Sequence, residues 1–304
     1  MIELANPYKH ITWECTTVCN YACSYCAPEL HDSKYRWPSS KQTDKIINLV
    51  KDFSNGEKIA FDIMGGEPTL WPSLEIFCEA LKDIADISFS SNGSRTLRYW
   101  KSFKAPLDRI YLSFHAEFAD VDHFLNITKI LSSKYITNVF IMYNPAYKQK
   151  CLELADKIES NNIQNCSFAF KFINDDAINY TEEDKHLMSR TYQTWNENSI
   201  DYRRSHFSNS KLKQNGKVIN DLYAYIRDGK NKYKGWKCQQ GDNYLYIDKE
   251  GTIYGAACRT VKYGNVWTDY KINLQRIICK KNTCSCVADI RLTKKWNITT
   301  QELT

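Results

Sequence analysis

Cys19-Asn20-Tyr21-Ala22-Cys23-Ser24-Tyr25-Cys26 places three thiols on one short loop with C-x3-C-x2-C spacing. Thiolates so spaced can each ligate one iron of a 4Fe–4S cluster and leave the fourth iron without a protein ligand. An open coordination position is what a reaction centre needs; a fully ligated metal is structural. Zinc is the competing occupant, although structural zinc takes four ligands, commonly in C-x2-C pairs. The chain holds twelve cysteines, grouped at 15–26 and 238–286, with Cys78, Cys151 and Cys166 between. In the second group Cys238 precedes Gln239-Gln240-Gly241 and an expected hairpin, Cys258 follows it, and Cys279, Cys284 and Cys286 come later as C-x4-C-x-C. Thiolates bracketing a hairpin suit a closed iron–sulfur cluster or a zinc ribbon, and iron and sulfide quantitation separates the two. Cys15 lies outside the motif spacing, and Cys78, Cys151 and Cys166 read as core residues.

These loops need a frame. Short apolar runs predict strands at His10–Glu14, Lys58–Met64, Ile87–Ser91, Arg109–Phe114, Asn138–Tyr143 and Ser167–Phe172. Amphipathic stretches between them predict helices at Asp44–Phe53, Ser73–Ile84, Val121–Leu131 and Tyr147–Ser160. Strands alternating with helices imply parallel βα units and an open or closed α/β barrel. Active sites in such folds gather where strand C-terminal ends meet the following loops. Thr181–Asn196 and part of Lys211–Arg227 are expected to be helical, and Tyr244–Asp248 with Thr252–Ala256 to form a hairpin.

The cysteine loop resembles that of the radical S-adenosylmethionine (radical SAM) superfamily, which carries this spacing with an aromatic before the last cysteine, here Tyr25. The resemblance continues at Gly65-Gly66-Glu67-Pro68, one strand–helix unit later; in the family this segment ends the second strand and binds the methionyl amino group of S-adenosylmethionine. Glycines permit close backbone approach, and Glu67 can accept bonds from an ammonium; taken alone, the segment also reads as a strand-ending turn. Ser91 and Asn92 close the third strand and Ser113 the fourth, where the family contacts the cofactor's methionine and ribose. Asn92-Gly93 also suits a plain turn. The second cysteine group, with Gly264-Asn265-Val266 after it, is similar to the SPASM and twitch extensions, which hold auxiliary 4Fe–4S clusters. Five cysteines favour the one-cluster twitch form, with Cys238, Cys258, Cys284 and Cys286 as ligands and Cys279 spare.

The resemblance therefore implies a partial (β/α)6 barrel at 1–180, a basic helical linker at 181–237, and a small α+β twitch/SPASM-like unit with a β-hairpin at 238–304. It implies a 4Fe–4S cluster on Cys19, Cys23 and Cys26 and reductive cleavage of S-adenosylmethionine to a 5′-deoxyadenosyl radical that abstracts hydrogen from a substrate. A second 4Fe–4S cluster and an electron donor such as flavodoxin or ferredoxin follow from the same resemblance. His115, Glu117 and His123 lie beyond the fourth strand; one of them, His115 first, could relay a proton or orient substrate, or each could simply cap or face solvent.

The bulk numbers exclude other classes. With 43% hydrophobic residues the chain can build a core. No run approaches the ~18 apolar residues of a membrane span, and the N-terminus lacks a signal-peptide core, so a cytoplasmic protein is expected. Between His186 and Lys237, 11 Lys or Arg face 4 Asp or Glu. That stretch, with Arg203, Arg204, Tyr192, Trp195, Tyr202, Tyr223 and Tyr225, suits an anionic substrate such as an acidic peptide, a nucleotide or a sugar phosphate, and equally a solvated basic face. No additional N-terminal leader-gripping domain is evident. Two other classes fit parts of the pattern. A non-catalytic iron–sulfur carrier leaves the Gly-Gly-Glu-Pro turn without a purpose, and a zinc-stapled nucleic-acid-binding module calls for zinc at both sites.

Overall fold

A computed structural model describes residues 1–4, 8–173, 178–194, 212–219, 222–284 and 286–296. The six expected strands are present as β2 (His10–Glu14), β3 (Ile59–Met64), β4 (Ala85–Ser91), β5 (Arg109–His115), β6 (Ile136–Tyr143) and β7 (Cys166–Phe172), after a short β1 (Ile2–Leu4). Helices α1 (Ser40–Ser54), α2 (Leu74–Leu81), α3 (Leu97–Ser102), α4 (Val121–Ser132) and α5 (Lys148–Ser160) connect them. The strands run parallel in order from β2 to β7, so their C-terminal ends share one rim.

Local chemistry sets these elements. Ser39 and Gln42 form a reciprocal capping box that starts α1. Ile46, Leu49, Val50 and Phe53 then recur at helical spacing and bury one face. In α4, Asp120 accepts from the His123 backbone N–H, and Phe124, Ile127 and Leu131 pack inward. Cys78, Cys151 and Cys166 are buried in the core, as expected.

The expected hairpin forms as β12 (Tyr244–Ile247) and β13 (Thr252–Tyr254), followed by β14 (Lys262–Asn265). It does not stand apart: β12 pairs parallel with β2 and extends the barrel sheet on that side. A second, antiparallel sheet has the order β10-β9-β1-β16-β11-β15. Its strands are β9 (Leu212–Gln214), β10 (Lys217–Ile219), β11 (Lys237–Gln240), β15 (Gln275–Ile278) and β16 (Lys294–Lys295), together with β1 from the start of the chain.

The region from 181 to 237 is less helical than expected. Helix α6 (Glu182–Leu187) starts on a Thr181–Asp184 capping box and stops early. The chain then forms β8 (Thr191–Gln193) antiparallel to β7, with Tyr192 stacked on Phe168 at 5.8 Å. Packing against a sheet edge overrides the helical pattern there. Lys211–Arg227 opens as the β9–β10 hairpin, because Asn215 and Gly216 both take positive φ in its two-residue turn; only α7 (Leu222–Arg227) is helical. Tyr225 is buried with its hydroxyl 2.8 Å from that of Tyr233, so it belongs to the core and not to an entrance. Trp195, Tyr202, Arg203 and Arg204 lie outside the described residues. A last helix, α8 (Val287–Ile290), precedes β16. Among the described residues no helix is long and apolar enough to cross a membrane.

Candidate active site and a second cysteine cavity

The loop after β2 returns to the rim through paired backbone bonds. Thr17 donates its N–H to the Tyr35 carbonyl at 2.8 Å, and its hydroxyl donates to Asp32 at 2.7 Å. Gly65 and Gly66 lie against this loop: Gly66 N–H donates to Thr16 O (2.8 Å) and Glu67 N–H to Val18 O (2.7 Å). A Cβ at Gly65 would sit 2.4 Å from Thr16 O, and one at Gly66 would sit 2.3 Å from Val18 O. Both contacts lie far inside van der Waals distance, so the glycines are demanded first by the cysteine loop itself. Gly65 also has φ +134°, which disfavours any side chain.

Cys19, Cys23 and Cys26 line a cavity of about 630 Å³ together with Tyr25, Gly65, Gly66, Ser91, Asn92, Ser113 and His115. Thus most of the residues singled out from sequence converge. Glu67 and Pro68 are the exceptions. Glu67 is fully buried behind the wall, its carboxylate accepting from Ser91 Oγ (2.8 Å), Asn92 N–H (2.6 Å), Thr69 N–H (3.1 Å) and the Thr69 hydroxyl. These bonds, three to Oε1 and one to Oε2, tie the end of β4 to the turn after β3. Pro68 is buried at the start of that 3₁₀ turn. Asn92 completes the wall, its Nδ2 donating to Asn20 Oδ1 at 3.1 Å.

His115 packs against the cysteine loop, its ring meeting those of Tyr21 and Tyr25. Its Nδ1 lies 2.6 Å from the Tyr25 hydroxyl, and the two rings stack at 5.9 Å. Burial pushes its pKa down to about 4, only partly countered by Glu117, so it is neutral near pH 7. Glu117 accepts from Ser24 N–H (2.9 Å) and Ser24 Oγ (2.6 Å), fastening the cysteine loop to the end of β5. His123 points to the Arg95 carbonyl at 3.2 Å on the flank of α4. Glu14, Tyr21, Met142, Phe172 and Ile173 also line the cavity and were not foreseen. Of these, Glu14, Met142 and Phe172 stand at or beside strand C-terminal ends, the one signal that could have marked them.

The five late cysteines meet as well. Cys238 on β11, Cys258 after β13, Cys279 after β15, and Cys284 and Cys286 before α8 line a second cavity of about 170 Å³. Burial pushes the thiol of Cys284 up to about 12, and those of Cys238 and Cys286 up to about 11. Neighbouring thiols add to the shift: Cys284 feels Cys238 and Cys286, Cys286 feels Cys258, and Cys238 feels Cys258 and Cys279. Gln240 Nε2 lies 3.6 Å from the Cys258 sulfur. Asp289 accepts from the N–H groups of Ala257 and Cys258, both at 2.8 Å, and Lys294 is buried in the same wall. Among the described residues no three His, Cys, Asp or Glu side chains close to the spacing of a single metal ion. Both cavities are lined by thiols, three in the first and five in the second.

The Radical SAM superfamily model matches residues 13–164, half of the chain. The chain belongs to the radical SAM superfamily. Membership implies a 4Fe–4S cluster and S-adenosylmethionine. This radical SAM protein is 26% identical over 139 residues to GTP 3′,8-cyclase of Pasteurella multocida (strain Pm70), which is 42% of this chain and 41% of the cyclase. It is 33% identical over 86 residues to the mycofactocin maturase MftC of Mycobacterium ulcerans (strain Agy99), covering 28% of this chain and 22% of the maturase. The matched segments thus span well under half the length of these relatives. Among solved structures, anSMEcpe with bound AdoMet superposes with TM-score 0.56 at 16% identity, over 86% of this chain and 78% of that one. Streptococcus suis SuiB bound to its precursor peptide SuiA gives TM-score 0.54 at 12% identity, over 88% and 64%. At such identities the likeness shows the fold: a parallel α/β sheet with an added C-terminal sheet of the SPASM-like kind.

Proposed function

We propose that this chain is a radical SAM enzyme that cleaves S-adenosylmethionine reductively and modifies or oxidises a second substrate by hydrogen abstraction. One observation carries the reading: Cys19, Cys23 and Cys26 open into the same cavity as the polar ends of β4 and β5. Cys19, Cys23 and Cys26 would hold the cluster through three of its irons. When bound, the cluster and S-adenosylmethionine supply a 5′-deoxyadenosyl radical through one-electron cleavage of a C–S bond.

The chain's own residues then orient and exclude. The Ser91 and Asn92 end of β4 and the backbone at Gly65 and Gly66 offer polar contacts for an amino-acid group beside the thiols. Glu67 acts from behind, fixing that wall. Ser113 and His115 face the nucleoside side, with Tyr25 holding the imidazole in one orientation and tautomer. A neutral His115 can accept a hydrogen bond or a proton at its outward nitrogen without bringing charge into the site. Met142, Phe172 and Ile173 give the cavity an apolar flank that keeps water from the reacting atoms.

For the second cavity we take Cys238, Cys258, Cys284 and Cys286 as ligands of an auxiliary 4Fe–4S cluster, with Cys279 spare. All five thiols line that cavity, with Cys238 placed on β11 and Cys286 at the start of α8. A flavodoxin- or ferredoxin-type donor would supply the electron, in a cytoplasmic setting. Residues 1–180, 181–237 and 238–304 serve as barrel, connector and auxiliary unit, with β1 and β12 crossing between the sheets.

The test is anaerobic reconstitution with iron and sulfide, followed by dithionite and S-adenosylmethionine. Release of 5′-deoxyadenosine, lost in Cys23→Ala, is expected; intact cofactor in the fully loaded protein overturns the proposal.

A further inference from the structure

Lys294 is 1% exposed, one of the largest fully buried side chains of the molecule. A lysine is almost never buried unless an anion compensates it, because removing an ammonium from water costs several kcal/mol. Its Nζ donates to the carbonyls of Ile290 and Leu292, both at 3.2 Å, and to that of Asp289, and it lies 5.1 Å from the Tyr233 ring centroid. These neutral partners satisfy its hydrogen bonds but carry no opposite charge. Asp289 is close, yet its carboxylate is turned to the amides of Ala257 and Cys258. No carboxylate oxygen pairs with Lys294 among the described residues. Lys294 lines the cavity of the five cysteines, beside Cys238, Cys284 and Cys286.

We propose that Lys294 is the buried countercharge of the iron–sulfur cluster held by Cys238, Cys258, Cys284 and Cys286, and that it raises that cluster's reduction potential. The proposal rests on the auxiliary-cluster reading given above. Four thiolates make such a cluster a net anion, and reduction adds one electron from the donor and no proton. A fixed cation in a low-dielectric wall therefore stabilises the reduced form more than the oxidised one. Asp289 lines the same cavity, with its carboxylate on the amides of Ala257 and Cys258, and its negative charge contributes to the field there in the opposite sense. Lys294 is a tuning residue and need not touch substrate.

The experiment uses the full chain carrying Cys19→Ala, Cys23→Ala and Cys26→Ala, so that only the second cluster remains, reconstituted anaerobically and titrated with dithionite under EPR. About four irons per chain are expected. Lys294→Met should lower the reduction equilibrium at least tenfold, about 59 mV for a one-electron couple. Lys294→Arg should restore most of the shift, and Asp289→Asn should move the midpoint upward. A loaded Lys294→Met protein with an unchanged midpoint overturns the countercharge while leaving the cluster reading intact. Absence of iron in the Lys294 parent overturns the cluster reading and the countercharge with it. If Lys294→Met alone takes up no iron, Asp289→Asn decides: an unmoved midpoint there overturns the field.

Discussion

The two cysteine cavities teach by contrast. The first draws three thiols from a single eight-residue loop and surrounds them with small polar strand ends in a void of about 630 Å³. The second gathers five thiols from β11, β13, β15 and the approach to α8 around about 170 Å³. Few donors with a large void leave metal coordination and space for a reactant; many donors with a small void leave neither. The charges differ as well. The first wall carries a neutral His115 and the Glu14 carboxylate, whereas the second is lined by Lys281, Lys294 and Asp289.

That contrast can be broken most severely at the first loop. Cys19→Ala should abolish 5′-deoxyadenosine release and remove about four of about eight irons per chain, leaving the second cluster's spectrum unchanged. Loss of all iron would mean that the cavities are not independent. Gly66→Ala comes next, since its Cβ would meet Val18 O at 2.3 Å. It should displace the cysteine loop and cost about 1–3 kcal/mol in thermal or chemical unfolding, with selective loss of the first cluster. Glu67→Gln brings an amide N–H₂ among donors that now share a carboxylate and should cost about 3 kcal/mol.

A smaller effect distinguishes the walls by pH. Because the folded protein holds the His115 pKa near 4, the unfolded chain binds the additional proton between about pH 6.5 and 4. Stability should therefore fall as pH drops through that window, by at most about 3 kcal/mol from this group, and level off below it. His115→Gln should flatten that part of the profile; an unchanged slope would remove His115 as its source. The smallest effect is expected at Cys279→Ser, which should leave iron content and both spectra as they are.

Much of this was legible in the residues because the signals were local. The six barrel strands announce themselves as apolar runs, and the C-x3-C-x2-C loop and Gly65-Gly66 lie at their ends. What failed was tertiary. The β12 hairpin joins the barrel sheet through a parallel pairing in which Tyr244 meets His10, 234 residues away in sequence. Thr191–Gln193 reads as helix until the edge of β7 claims it. Asn215-Gly216 was a readable hairpin signal that the helical pattern around it masked. Glu67 shows the subtler limit: its residue type suggested an acceptor, and only the fold shows that Ser91, Asn92 and Thr69 are among its donors. Lys294 has no sequence signature, since its burial follows from strands that meet only in the folded chain.

The most direct measurement is EPR of the reduced, fully loaded protein before and after addition of S-adenosylmethionine. The account predicts that the cofactor alters the signal lost in Cys19→Ala and leaves the signal lost in Cys284→Ala untouched. A cofactor that shifts neither signal, or only that of the second cavity, would contradict it.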